Sequence, residues 1–384
     1  MPQIVKSEQL QSLAVFFICF ILLFSCQQNP PHVPESITQI IDKTKVEFCP
    51  DRRLAVFDLK TSTVGDSIFI SGEIDNPDAL KTLSGNLGSL DGNNKINIQI
   101  SLLPDSTVGH KNWGLISVSV ANLRSKPGYS AELLNQVLMG TFVEILKKKK
   151  GWYYVRVADG YLGWMNGTFF SRLPEEEKQA WEEEKRLVFH QLYGKIYENP
   201  DASSMIKSDV VGGNILNIVE QGAVWSKVKW TEKESGYVKT NQCTDFDVWM
   251  KTKSVDADEL IKTAFQFKGL PYLWGGNSTK GVDCSGFTQS IFKWNGFNLL
   301  RDASQQYRQG KVVTTGDNFE NLHPGDLLFF GLRENKIIHV GLYLGQKEYM
   351  HSSGHVKINS FDSTAANFSR YRFDTFRGAR RILN

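Results

Sequence analysis

Residues 271–294 read PYLWGGNSTKGVDCSGFTQSIFKW, a glycine-rich loop running into a stretch of helical periodicity that starts at Cys284. Asp283 stands where a helix cap belongs, so the Cys284 thiol falls in the first turn, where unpaired N–H groups and the helix dipole favour an anion. A cysteine so placed is expected to have a lowered pKa and to act as a nucleophile, provided a histidine takes its proton. Gly275, Gly276, Gly281 and Gly286 let the loop turn tightly against the thiol. Upstream, an amphipathic helix is expected over Asp256–Lys268, closed by Gly269 and Pro271.

Downstream, PGDLLFF (324–330) and IIHVGLYL (337–344) read as strands, followed by a short loop and EYMHSS (348–353). His339 shares a strand face with Ile337, Gly341 and Tyr343, and a polar ring there needs a partner, for which Cys284 is the natural candidate. A three-residue hairpin loop over Gly345–Lys347 would pair 344 with 348 and 339 with 353. His351 then lies on the same face, diagonal to His339, whereas a one-residue slip would turn it to the other face. In the first register His351 orients His339, which activates Cys284. A lone cysteine is most often a buried hydrophobe and a lone histidine a satisfied core residue, so the combination carries the reading.

The motifs PYLWGG, DCSGF, HPGDLLFF, IHVGLYL and MHSS, in that order over about 130 residues, resemble the NlpC-type peptidases, papain-like enzymes of bacterial cell-wall turnover. The resemblance implies an α+β peptidase domain with Cys284 as nucleophile, His339 as base and His351 as orienter. It also implies that Tyr272 lies near the oxyanion position with the Cys284 N–H. Asp283, Ser285 and Ser304, the last in RDASQQY, match positions that contact the amine and carboxylate groups of substrate. Otherwise Tyr272 is a core aromatic, Asp283 only a cap and Ser304 a turn residue.

Before this domain, residues 114–173 hold short β-rich runs divided by turn signals. NLRSKP (122–127), GWYYV (151–155) and GYLGW (160–164) resemble the small bacterial Src-homology-like (SH3-like) barrels of cell-wall enzymes. A Glu- and Lys-rich segment, 174–186, reads as an exposed linker helix. After it the pattern repeats more weakly over 189–246, with VWSKVKW and SGYVK echoing GWYYVRV and GYLGW, which argues for a second barrel. Lys147–Lys150 reads as a solvated hairpin tip. Two barrels ahead of such a peptidase resemble the γ-D-glutamyl-L-diamino acid endopeptidases, or dipeptidyl peptidases VI. That resemblance implies that the first barrel closes one end of the cleft and reads the free amine of L-Ala in murein peptides. Glu132 in SAELLNQ and Tyr161 in GYLGW match the acid and the tyrosine required, with the offset of Glu132 from Gln136 left open. Apart from the resemblance Glu132 is an ordinary surface acid. The competing readings are an endopeptidase on intact wall and a catalytically silent wall-binding lipoprotein.

At the other end, Lys6 precedes an apolar run, Leu13–Phe24, of signal-peptide length. Leu23, Phe24, Ser25 and Cys26 resemble a bacterial lipobox, which implies lipidation at Cys26 and attachment to a bacterial membrane at its periplasmic or outer-membrane face; plain secretion is the alternative. The expected organisation is a signal peptide (1–25), a Pro-rich tether (26–36), a small α+β domain (37–112), two barrels (113–174 and 187–250) and the peptidase domain (254–384). At 384 residues several compact units are required. A net charge of +3 gives no argument for a nucleic-acid partner. Cys49 and Cys243 read as structural thiols, and with neither CxxC pairs nor clustered histidines no metal or other cofactor is expected. A monomer is expected.

Overall fold

The computed structural model describes residues 33–90, 95–252, 256–316, 318–333 and 336–383. Cys26, the signal segment and the tether as far as residue 32 lie outside the described residues. Among the described residues no helix is long and apolar enough to cross a membrane.

After a first helix, Glu35–Phe48, strands Phe57–Val64 and Ser67–Ile74 pair antiparallel, and Lys95–Leu102 joins the second of them in parallel. A parallel neighbour needs a crossover, supplied by the helix Pro77–Gly88. Asn76 starts that helix by accepting the N–H groups of Asp78 and Ala79. Ile70, Ile74, Ala79 and Leu83 fill the space between sheet and helices with no exposure.

The following seven strands, from Trp113 to Leu173, form one antiparallel sheet with its own apolar core around Ile116, Leu123, Val143 and Val155. Lys150 and Gly151, at φ 48° and 80°, make the two-residue turn between Phe142–Lys149 and Trp152–Arg156, the kind whose twist matches the strands. The lysine run is only partly a solvated tip. A register shift after Ile145 brings Lys147 back over the Tyr154 and Trp164 rings, where it pairs with Glu73 of the preceding sheet. Arg156 pairs with Asp75, and Val56 and Leu103 pack against Leu146 and Leu162, so the N-terminal unit is docked on this barrel.

A second seven-stranded sheet spans Arg186 to Asp245. Met139 of the first sheet enters its core, and Met139 O accepts the Ile215 N–H at 3.0 Å. The connecting helix, Glu175–Glu183, is not simply exposed: Trp181, on its apolar side, is buried against Leu115 and Leu173 of the first sheet, and Lys229 and Asn217 of the second reach its ring and carbonyl.

From Ala257 on, helices Ala257–Gln266 and Cys284–Trp294 cover one face of a six-stranded sheet through Leu260, Phe287, Val340 and Met350. Strands Lys336–Gly345 and Glu348–Ser353 are joined by a two-residue turn, Gln346 and Lys347 at φ 50° and 65°, where three residues are expected from the sequence. A bulge after Tyr343 absorbs the difference, so Leu342 still faces Met350. Backbone pairing ends at Leu342 and Met350, beyond which His339 and His351 meet through their rings. The segment leading to Cys284 is held to the second strand by the Ser352 hydroxyl, which donates to Val282 O at 2.8 Å.

Candidate active site

Asp283 caps the Cys284–Trp294 helix as the sequence predicts, accepting the Gly286 N–H at 2.7 Å through Oδ1. Its other oxygen accepts the Gly275 N–H at 3.0 Å. The carboxylate is also the partner of Arg301, 1% exposed, whose guanidinium reaches Asp283 Oδ2 at 2.6 Å, Ser285 Oγ at 3.0 Å and Asn135 Oδ1 of the first barrel at 3.0 Å. A buried carboxylate is tolerated only with such pairing. Gly286 has no alternative: a Cβ there would lie 2.0 Å from Gly276 O.

The electrostatics of Cys284 differ from those its helix position suggests. Burial pushes the thiol up to about 12 and the Asp283 charge adds to this; the Val340 and Ser285 N–H groups and Arg301 pull the other way without prevailing. At 8% exposure the lost hydration of a thiolate outweighs the helix-start contribution, so in the free protein the proton rests on sulfur. Burial likewise holds His339 well below the ordinary histidine range, helped by Arg372 and His351, and brings His351 to about 4 against a supporting bond from Asn359. Both rings are neutral at neutral pH.

Their tautomers follow from the hydrogen-bond chain. Asn359 Nδ2 donates to Asn367 O at 2.6 Å, which fixes its amide with Oδ1 facing His351 Nε2 at 2.8 Å. An amide oxygen only accepts, so the His351 proton is on Nε2 and its Nδ1 is an acceptor. His339 Nε2, 2.7 Å away, must therefore donate, which leaves His339 Nδ1 with its lone pair. A neutral imidazole with a free Nδ1, one residue from the Val340 N–H that faces the Cys284 sulfur, is set up to take a proton.

Above the thiol is a cleft of about 320 Å³. Tyr272, Asp283, Cys284, Ser285 and Ser304 of the C-terminal domain line it together with Glu132 and Tyr161 of the first barrel. Glu132 Oε1 accepts the Trp274 indole N–H at 2.9 Å, whereas Gln136 is buried and accepts from Asn277 N and Ser278 Oγ, so Glu132 is the residue that faces the cleft. The Tyr272 backbone N–H donates to Gly354 O at 2.9 Å, and burial raises its phenol, which stays a neutral donor. Ser285 is committed to Asp283 and Arg301, and Ser304 accepts from Arg53. The sequence reading misses Arg53, Arg301, Asp302, Trp274 and Asn359. Asp302 had a signal, since Asp302 and Gln305 form a capping box; Arg53, some 250 positions from Asp302 and Ser304, had none.

A thiol at a helix start, hydrogen-bonded by the N–H of Val340 next to a strand histidine that is itself held by a second ring, fits a cysteine-type hydrolase of papain-like plan. Residues 269–375 match the model of the NlpC/P60 family and residues 119–171 that of the bacterial SH3 domain. The chain belongs to the NlpC/P60 family. It is 29% identical over 269 residues to a dipeptidyl-peptidase 6 of Lysinibacillus sphaericus, covering 65% of this chain and 91% of that one. It is 30% identical to a gamma-D-glutamyl-L-lysine dipeptidyl-peptidase of Bacillus cereus, covering 66% and 76%, and 32% identical to one of Bacillus subtilis, covering 56% and 71%. The crystal structure of an NlpC/P60 family protein from Bacillus cereus superposes with a TM-score of 0.62 at 25% identity, over 71% of this chain and all of that one.

Proposed function

We propose that the protein hydrolyses the bond between γ-D-Glu and an L-diamino acid in murein peptides that carry a free N-terminal L-Ala. The observation that carries this reading is the cleft itself. The Cys284 thiol lines a space that also holds two carboxylates, Glu132 and Asp302, and the Tyr161 hydroxyl, which donates to Asp302 at 3.1 Å. Acids with an oriented phenol in the same cleft as the thiol suit an ammonium, here the free amine of a short peptide. The names of the relatives agree with this substrate class.

In the reaction His339 Nδ1 takes the thiol proton as sulfur attacks the γ-carbonyl of D-Glu, and the Cys284 N–H and the Tyr272 hydroxyl receive the developing oxyanion. The resulting imidazolium gives its proton to the departing amine. Water, deprotonated by the same ring, then releases L-Ala-γ-D-Glu from sulfur. His351 keeps His339 in the donating tautomer throughout. Asp283, Ser285 and Ser304 line the cleft and are held there by Arg301 and Arg53. The units at 37–112, 113–174, 187–250 and 254–384 act together as a monomer. Family membership suggests a place in the cell envelope, and Cys26 in its LFSC setting supports a lipid anchor there.

Incubation with L-Ala-γ-D-Glu-L-Lys and its N-acetylated form, read by mass spectrometry, tests the proposal. Release of L-Ala-γ-D-Glu from the free peptide with little from the blocked one is expected; intact free peptide would overturn it.

A further inference from the structure

Arg53 belongs to the N-terminal unit, yet its side chain reaches the amine end of the cleft. Its backbone is fixed by the first barrel, where Leu162 N donates to Arg53 O at 2.8 Å. Its side chain is held at the root by a fork onto Asp51, Nε to Oδ1 at 2.8 Å and Nη2 to Oδ2 at 2.6 Å. That leaves Nη1 pointing across the domain boundary, 2.7 Å from Asp302 Oδ2 and 2.9 Å from Ser304 Oγ. Gln305 closes the ring: its amide N donates to Asp51 Oδ2 at 2.9 Å and its amide O accepts the Asp302 N–H at 3.0 Å. A planar guanidinium gripped on one edge has little freedom on the other, so Asp302 is held in place by a residue that does not move with its own domain.

We infer that Arg53 is a positioning residue for amine recognition, through which the N-terminal unit completes the substrate site. The inference rests on the proposed free-amine substrate. Arg53 and the Tyr161 hydroxyl both fall on Oδ2 of Asp302, and a carboxylate with up to four acceptor directions keeps capacity for an ammonium. The charge balance favours this role over competition with the substrate. Arg301, also within electrostatic reach of Asp302, is paired with Asp283, so Asp51, Asp302 and Glu132 still outnumber the Arg53 guanidinium and the site stays negative and attracts a cation. Without Arg53 the Asp51 and Asp302 carboxylates face each other uncompensated, and repulsion moves Asp302 out of the position that Tyr161 and the substrate need. Arg53 also lines the cleft, so its truncation makes room there for a blocked or extended N-terminus.

The test compares the full-length protein with Arg53→Ala and Arg53→Lys on L-Ala-γ-D-Glu-L-Lys and its N-acetylated form. The loss of one charge-assisted contact to Asp302 corresponds to roughly tenfold in KM for the free peptide in Arg53→Ala, with kcat within about threefold. The slow cleavage of the blocked peptide should be unchanged or faster, so that discrimination between the two narrows. Arg53→Lys, which keeps the charge without the fork, should fall between. A general loss of structure would lower both substrates together. Equal free-to-blocked ratios in wild type and Arg53→Ala, or a fall confined to kcat, would overturn the inference while leaving the proposed function standing. Failure of the wild-type protein to cleave the free peptide would overturn both.

Discussion

Removing Arg301 tests how the nucleophile is held. In Arg301→Met the Asp283 carboxylate keeps the Gly286 and Gly275 N–H groups and the Ser285 hydroxyl but loses its ion-pair partner among the described residues, at a position where both side chains are nearly shut off from water. Breaking a buried pair from one side leaves an uncompensated charge and costs about 3 to 5 kcal/mol. The bonds to Asn135 Oδ1 and Ser285 Oγ go as well, each worth about 1 kcal/mol, so the upper half of that range is expected. Removing the charge from both sides, with Asp283→Asn added, relieves most of the penalty because the amide oxygen can still cap the helix. Urea unfolding followed by tryptophan fluorescence on the four members of the cycle gives the coupling directly, and about 2 kcal/mol or more is expected. Additive single-variant effects, or a cost under about 1 kcal/mol for Arg301→Met, would refute the view that this pair fixes the start of the Cys284 helix.

Two further outcomes follow from the histidine chain. His351 binds its proton near pH 4 in the native protein but near 6.5 when unfolded, so the unfolded state holds more protons between those values. Its contribution, about 3 kcal/mol, is complete above pH 6.5 and is lost as pH falls toward 4; unfolding midpoints measured across that window should drop steeply in wild type and more gently in His351→Asn. Asn359→Leu removes the acceptor that puts the His351 proton on Nε2 and should lower kcat about tenfold or more with KM little changed, as steady-state rates on the free tripeptide would register.

The placement of the candidate site was legible in the sequence because its signals are local. A capping aspartate before a cysteine, two histidines twelve positions apart on neighbouring strands, and turn-bounded β runs each follow from short-range periodicity. The histidine register survives a wrong loop length because the bulge after Tyr343 compensates for it. What could not be read depends on contacts between distant segments. The Cys284 pKa moves opposite to the expectation from its helix, since burial is a property of the packed domain. Lys147 and Trp181, read as exposed, are claimed by Glu73 and by the space between the barrels. Arg53 meets Asp302 across 249 positions, and Arg301 meets Asn135 across 166. No pattern in either segment announces its partner.

The most direct measurement is the site of the covalent intermediate. When the protein is mixed with L-Ala-γ-D-Glu-L-Lys, quenched in acid and mapped by peptide mass spectrometry, the account predicts an L-Ala-γ-D-Glu thioester on the peptide that contains Cys284. Neither adduct nor turnover should be found in Cys284→Ala. Turnover that persists in Cys284→Ala, or an adduct on another residue, would contradict it.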